Sequence, residues 1–129
     1  MELSSSEDQL DEVVITILGI TFKENVPDIR NTRVIDIINE LRNHSVTIQV
    51  YDPCAEIHDV KNEYQIDLKD YKSLQRADVV IVAVPHDEFI DKGWSGISAL
   101  LHPSGGIVFD VKSILDRCNK PNNIELYRL

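Results

Sequence analysis

Nearly uninterrupted apolar runs constrain this chain more than any other feature. "VVITIL" at residues 13–18 is broken only by Thr16, and "DVVIVAVP" at 78–85 is more apolar still. A strand with one wet face alternates polar and apolar residues. A run that is apolar on both faces, and rich in β-branched residues, must be covered on both, as in a parallel sheet flanked by helices. Between the first run and a second strand, "SVTIQVYD", lie Val34, Ile37, Ile38 and Leu41 at helical spacing. Asn31 or Thr32 is placed to cap that helix, Asp36 sits near its positively polarised first turn, and Asn43-His44 ends it. The unit is a βαβ crossover, expected to be right-handed.

The rest of the chain continues the alternation. "IHDVKNEYQID" is polar and irregular, with room for a short edge strand. "LKDYKSLQRA" is predicted helical, with Leu68, Tyr71 and Leu74 spaced by three. "HDEFIDKGWSGISALL" predicts one or two short helices, "GGIVFDVKSIL" a strand after a Pro-Ser-Gly-Gly turn, and "NIELYRL" a last strand. The predicted fold is α/β: a Rossmann-like, doubly wound, mostly parallel sheet with helices on both faces. A chain of 129 residues with 43% hydrophobic and 27% charged residues suits one globular domain. Residues 12–129 are assigned to it, and the polar, acidic 1–11 to a flexible lead-in.

A net charge of −9 with no basic stripe argues against nucleic acid and anionic membrane as partners. The longest apolar runs, about eight residues, fall far short of the ~20 a membrane helix needs. No signal peptide opens the sequence, so a cytoplasmic location is expected. Cys54 and Cys118 are far apart and form no CxxC pair, which excludes a disulfide scaffold or zinc ribbon and leaves two ordinary thiols.

In such sheets ligands gather beyond the carboxyl ends of the strands. The first of these ends is "GITFKENVPDIRNTR", with one glycine, Gly19, where a phosphate-cradling loop would have several. In their place stand Lys23, Glu24, Asp28, Arg30 and Arg33, three cations against two acids in a strongly acidic chain. A flexible ammonium and a planar guanidinium are suited to grip two separate anionic groups. Pro27 stiffens the loop, and Asp28 stands where it can orient Arg30. The alternative is a solvated rim of weakly paired charges.

"LGITFKENVPDIRNTRVIDIINEL", then "VYDP", "VVIVAVPHDEF" and "GGIVFDVKSIL", resemble in order the C-terminal, UDP-sugar-binding domain of the UDP-glucose/GDP-mannose dehydrogenase family, from about Val13 to Leu129. The wording most resembles the branch that oxidises UDP-N-acetylhexosamines for surface polysaccharides. The resemblance implies an enzyme that oxidises the sugar C6 alcohol to a carboxylate with NAD, through a catalytic cysteine in a preceding segment. NAD would be bound mainly by a separate N-terminal domain, and the full-length enzyme would be a homodimer or larger. Phe22 and Lys23 match positions that contact the nucleotide sugar. Arg30 matches an arginine that reaches the NAD pyrophosphate. Lys112 falls where some members place a basic residue against the substrate. Neither cysteine matches the catalytic one and there is no GxGxxG, so this chain alone is expected to be inactive, with no catalytic residue and no metal site of its own.

Three further features have competing readings. His86-Asp87-Glu88 suits a helix start, with a metal or acid/base cluster as the alternative. Asp52 suits strand termination before Pro53, with a ribose-binding acid as the alternative. Asn43-His44-Ser45 is a glycosylation sequon by letter only; Trp94 and Tyr127 suit packing or an interface, and His44, His58 and His102 show no ligand-like spacing. The rival to the dehydrogenase reading is a stand-alone flavodoxin-like or receiver-like binding module, which fold alone does not separate from it.

Overall fold

The computed structural model describes residues 13–30 and 32–128. The expected lead-in, and Asn31 as a cap, lie outside the described residues. Five strands, β1 (Val14–Leu18), β2 (Thr47–Tyr51), β3 (Val79–Val82), β4 (Gly106–Asp110) and β5 (Ile124–Arg128), form one sheet in the order β2-β1-β3-β4-β5. Every neighbouring pair is parallel. The helices are α1 (Val34–Leu41), α2 (Ile57–Tyr64) and α3 (Asp87–Leu100).

Alternation along β1 builds two cores. Ile15 and Ile17 pack with Val34 and Ile38 of α1 and Val60 of α2, whereas Val14 and Leu18 pack with Phe89, Ile97 and Leu100 of α3. The doubly wound, two-faced arrangement expected from the apolar runs is therefore present. The strand order reverses between β1 and β3, so the loops after those two strands diverge and open a crevice.

α1 starts with Thr32 Oγ1 accepting the Val34 N–H at 3.2 Å and carries Asp36 in its first turn. α3 begins at Asp87, with Asp87 and Glu88 in its first turn as the helix-start reading expects, and breaks at Gly93, whose φ of 54° and ψ of −145° divide it into two helical segments. Trp94 donates from Nε1 to the Asp116 carbonyl, and Tyr127 stacks on Phe109 while remaining half exposed.

Two segments differ from the sequence expectation. Residues 57–64 form α2 and not an irregular stretch: Glu56 accepts the His58 N–H at its start, and a left-handed Gln65 closes it. Its apolar stripe is only Ile57, Val60 and Tyr64, too sparse to stand out in a polar sequence. The helix expected over 68–77 is a single 3-10 turn, Tyr71–Ser73. Leu68 packs in the α1/α2 core while Tyr71 and Leu74 pack against the α3 core, so the chain rounds the sheet edge between them. One straight helix cannot serve both faces. Edge pairing does occur, one residue past the expected stretch, as a parallel bridge between Leu68 and Val50.

Candidate functional site

The carboxyl ends of β2 and β4 finish in buried aspartates that organise the loops beyond them. Asp110 accepts the N–H groups of Ile114 and Leu115 at 3.0 and 2.8 Å, folding the turn that carries Lys112. Asp52 accepts five donors. Oδ1 takes the N–H of Cys54 and Ala55 at 2.7 and 3.0 Å; Oδ2 takes the N–H of Ile20 and Thr21 at 2.7 and 3.2 Å and His86 Nε2 at 2.9 Å. Burial alone pushes the Asp52 carboxyl up, but the hydrogen bonds from His86, Ile20 and Cys54 outweigh it and hold the group below the usual carboxylate range. Its side chain is 0% exposed, so it is not available to a ribose.

The loop after β1 is held at nearly every turn. Gly19 adopts a φ of 101° and lies against Val84 at the end of β3. The Phe22 N–H donates to the Asp28 carbonyl at 2.6 Å, closing residues 22–28 into a compact loop. Asn25, with a φ of 62°, donates its N–H to His86 Nδ1 at 2.9 Å and accepts the Asp87 N–H at 3.0 Å. Tyr64 ties down the Ile29 carbonyl at 2.5 Å, and Ile29 itself is buried. The backbone is thus fixed while Phe22, Lys23 and Arg30 project into solvent.

Asp52, Cys54 and His86 bring a carboxylate, a thiol and an imidazole within 4.8 Å of one another. Backbone N–H groups already occupy both carboxylate oxygens and His86 Nδ1, and Cys54 Sγ lies 3.6 Å from that same nitrogen, so the trio acts as a clamp on the surrounding loops. Burial, and then the charges of Asp52, Glu88 and Asp87, push the Cys54 thiol up, which keeps it protonated and unreactive at neutral pH. Cys118 is exposed, and neither cysteine is in a disulfide.

The four residues singled out from sequence do not all meet. Phe22 and Lys112 line one cleft of about 320 Å³, together with Thr21, Arg33, Ala83 and Val111, at the ends of β1, β3 and β4. Arg30 faces a second depression beside α2, lined by Pro27, Asp28, Asp59 and Glu63. Lys23 lines neither and stands exposed on the loop between them. Asp28 orients Arg30 as expected, through Nε to Oδ1 at 3.1 Å and Nη2 to Oδ2 at 3.2 Å. Lys23, Arg33 and Lys112 have no acidic partner within ion-pair distance among the described residues. Arg33 was not singled out as a site residue; its position at the mouth of α1, facing the crevice, was the signal available.

The order 2-1-3-4-5, with a rigid cationic loop at the switch point, defines a ligand-binding α/β domain of the doubly wound class. Residues 16–117 match the UDP-glucose/GDP-mannose dehydrogenase family, UDP binding domain, and the chain belongs to that family. It is 38% identical over 121 residues to Protein CapL of Staphylococcus aureus, covering 94% of this chain and 28% of that protein. It is 36% identical over 107 residues to a UDP-N-acetyl-D-glucosamine 6-dehydrogenase of Pseudomonas aeruginosa, covering 83% of this chain and 25% of that protein. The fold superposes, at a TM-score of 0.78 and 14% identity, on 26% of an NDP-N-acetyl-D-galactosaminuronic acid dehydrogenase from Methanosarcina mazei, with 97% of this chain covered. The chain thus spans about a quarter of the length of the relatives it matches. Among the described residues no helix is long and apolar enough to cross a membrane.

Proposed function

We propose that this domain is the lid that closes over the nucleotide sugar in an NAD-dependent UDP-N-acetylhexosamine 6-dehydrogenase. The observation that carries the reading is a hydrogen-bonded loop presenting Phe22 and Lys23 beside a cleft lined by Arg33 and Lys112, three cations with no acidic partner within ion-pair distance among the described residues, in a chain of net charge −9. Phe22 offers an apolar face to a ring. Lys23 donates charge-assisted hydrogen bonds to sugar or phosphate oxygens. Lys112 and Arg33 line the same cleft from the loop after β4 and the start of α1. Because the loop backbone is already ordered, binding does not bear the cost of ordering it.

The first βα turn does not fit a dinucleotide pyrophosphate. Its N–H groups from Gly19 to Phe22 are donated within the protein, to the Tyr51 carbonyl, the Asp52 carboxylate and the Asp28 carbonyl, and so do not cradle a phosphate. In this reading NAD, the hydride acceptor, is held by a separate domain, and the oriented guanidinium of Arg30 reaches toward it. The UDP-sugar and NAD are therefore partners of the longer enzyme, a homodimer or larger. The stand-alone flavodoxin-like or receiver-like alternative shares the strand order, but a receiver needs a cluster of free acids at its strand ends, and Asp52 and Asp110, which close β2 and β4, are consumed by their own turns.

Titrating the isotopically labelled domain with UDP-N-acetylglucosamine tests the reading. Amide shifts are expected to centre on Phe22, Lys23, Arg33 and Lys112, with a Kd no tighter than about millimolar, because a lid supplies only part of the contacts. In the longer enzyme Lys23→Ala should lower kcat/KM by roughly 10- to 150-fold, the worth of a charged hydrogen bond. Shifts scattered over the surface, or unchanged kinetics in Lys23→Ala, would reduce the loop to a solvated rim.

Arg30 is expected to separate from Lys23 in the same kinetics. Arg30→Ala should raise the KM for NAD more than that for the nucleotide sugar, and Arg30→Lys should not restore it, since an ammonium can neither keep the two-point bond to Asp28 nor fork onto phosphate. An increase confined to the nucleotide-sugar KM would exchange the two roles.

A further inference from the structure

We propose that His86 is a positioning residue for the Phe22-Lys23 dipeptide, one imidazole stapling both ends of the turn that presents it. The ring is wholly buried beneath the loop, 61 residues from Asn25 in sequence and 65 from Thr21. Its two nitrogens serve opposite ends of the turn. Nδ1 accepts the Asn25 N–H at 2.9 Å, and Nε2 lies 3.2 Å from Thr21 Oγ1 and 2.9 Å from Asp52 Oδ2.

The protonation state follows from the partners. A backbone N–H can only donate, so Nδ1 is bare; the proton is on Nε2 and is shared between the Asp52 carboxylate and the Thr21 hydroxyl oxygen. That leaves the Thr21 hydroxyl hydrogen for the Lys23 carbonyl, which it reaches at 2.8 Å. Asp52 thereby fixes the tautomer that Asn25 requires, as a carboxylate commonly does for a histidine. Asn25 needs that support, because its φ of 62° is a conformation that most side chains avoid. Phe22 and Lys23 lie between the two tethered residues, so the ring sets the direction in which both side chains leave the protein. The functional part of this inference rests on the nucleotide-sugar reading above; the staple does not.

Two substitutions divide the ring. An asparagine oxygen takes the place of Nδ1, and a glutamine amide takes the place of Nε2–H. His86→Asn should keep the Asn25 amide protected from hydrogen exchange, whereas His86→Gln should speed its exchange by at least about fivefold relative to the core amides, the effect of losing one net hydrogen bond. At one sub-saturating concentration of UDP-N-acetylglucosamine, the ligand-induced shift of Lys23 should survive in His86→Asn and shrink in His86→Gln. Equal loss in both variants, in step with their global stability, would make His86 an ordinary core residue and overturn the proposal. Selective exposure of Asn25 in His86→Gln, with no ligand-induced shift even in the parent, would keep the staple and remove the nucleotide-sugar reading. If neither variant folds, the imidazole nitrogen shifts of the parent decide: a bare Nδ1 beside a protonated Nε2 supports the staple, and a protonated Nδ1 overturns it.

Discussion

Asp52→Ala should destabilise the domain by about 3–5 kcal/mol, the cost of leaving several buried donors without their shared acceptor. The substitution strands four backbone N–H groups, at Ile20, Thr21, Cys54 and Ala55, together with His86 Nε2. Each stranded buried donor costs about 1–3 kcal/mol before the structure relaxes, and single domains have only about 5–15 kcal/mol of stability in all. The damage reaches the site, because the same carboxylate anchors both the turn before Phe22 and the ring behind it. Asp52→Asn should fall between the parent and Asp52→Ala, since one oxygen still accepts but the NH₂ opposes the remaining donors.

Acid gives this prediction a second edge. The folded Asp52 carboxyl is held below the usual carboxylate range. A depressed acid contributes stability that is fully present above its unfolded-state value and is lost as the pH falls through its folded value. The urea midpoint of the parent should therefore drop below about pH 4, the ordinary aspartate region, and the gap between parent and Asp52→Asn should narrow there. A gap as wide at pH 3 as at pH 7 would mean that the carboxylate charge contributes nothing to the clamp.

How much of this was legible in the sequence follows from where each signal lies. β1 and β3 were readable because both of their faces are covered, which leaves an unbroken apolar run. α2 was not, because one fully buried residue, Val60, anchors it and its other two apolar positions are half wet. The threefold spacing of Leu68, Tyr71 and Leu74 is real but arises from a chain turning over an edge strand, which periodicity alone does not distinguish from a helix. The cationic loop was legible because its charges are contiguous. The cleft grouping was not: Arg33 reaches it from the N-cap of α1, and Lys112 through the Asp110 turn on another strand. The Asp52–His86 pair joins residues 34 apart through the parallel order of β2, β1 and β3. The available sign was an acid and a histidine closing the two strands that flank β1, and the sequence reading explained each by itself.

The lone glycine of the loop yields the other large effect. Gly19→Ala should cost about 2–5 kcal/mol, combining a backbone conformation unfavourable to a side chain with an overpacked contact. At its φ of 101°, an added Cβ would lie 2.5 Å from Val84 Cβ and 2.9 Å from the Val84 backbone nitrogen, and neither is the movable end of a flexible chain. Gly93→Ala is the internal control. Gly93 also has a positive φ, 54°, but a Cβ there meets nothing within 4 Å, so it bears the conformational cost alone. Thermal unfolding should therefore place Gly19→Ala well below Gly93→Ala, with the difference reporting the close approach of the β1 turn to the end of β3. A phosphate-cradling glycine would behave differently: its substitution would weaken ligand binding and leave the melting temperature near that of the control. Equal melting temperatures for the two variants would mean that the approach to Val84 is not what requires glycine. The expected gap would assign Gly19 to bringing two strand ends together beneath the loop, where Val84 leads through Pro85 into His86 and the crevice begins.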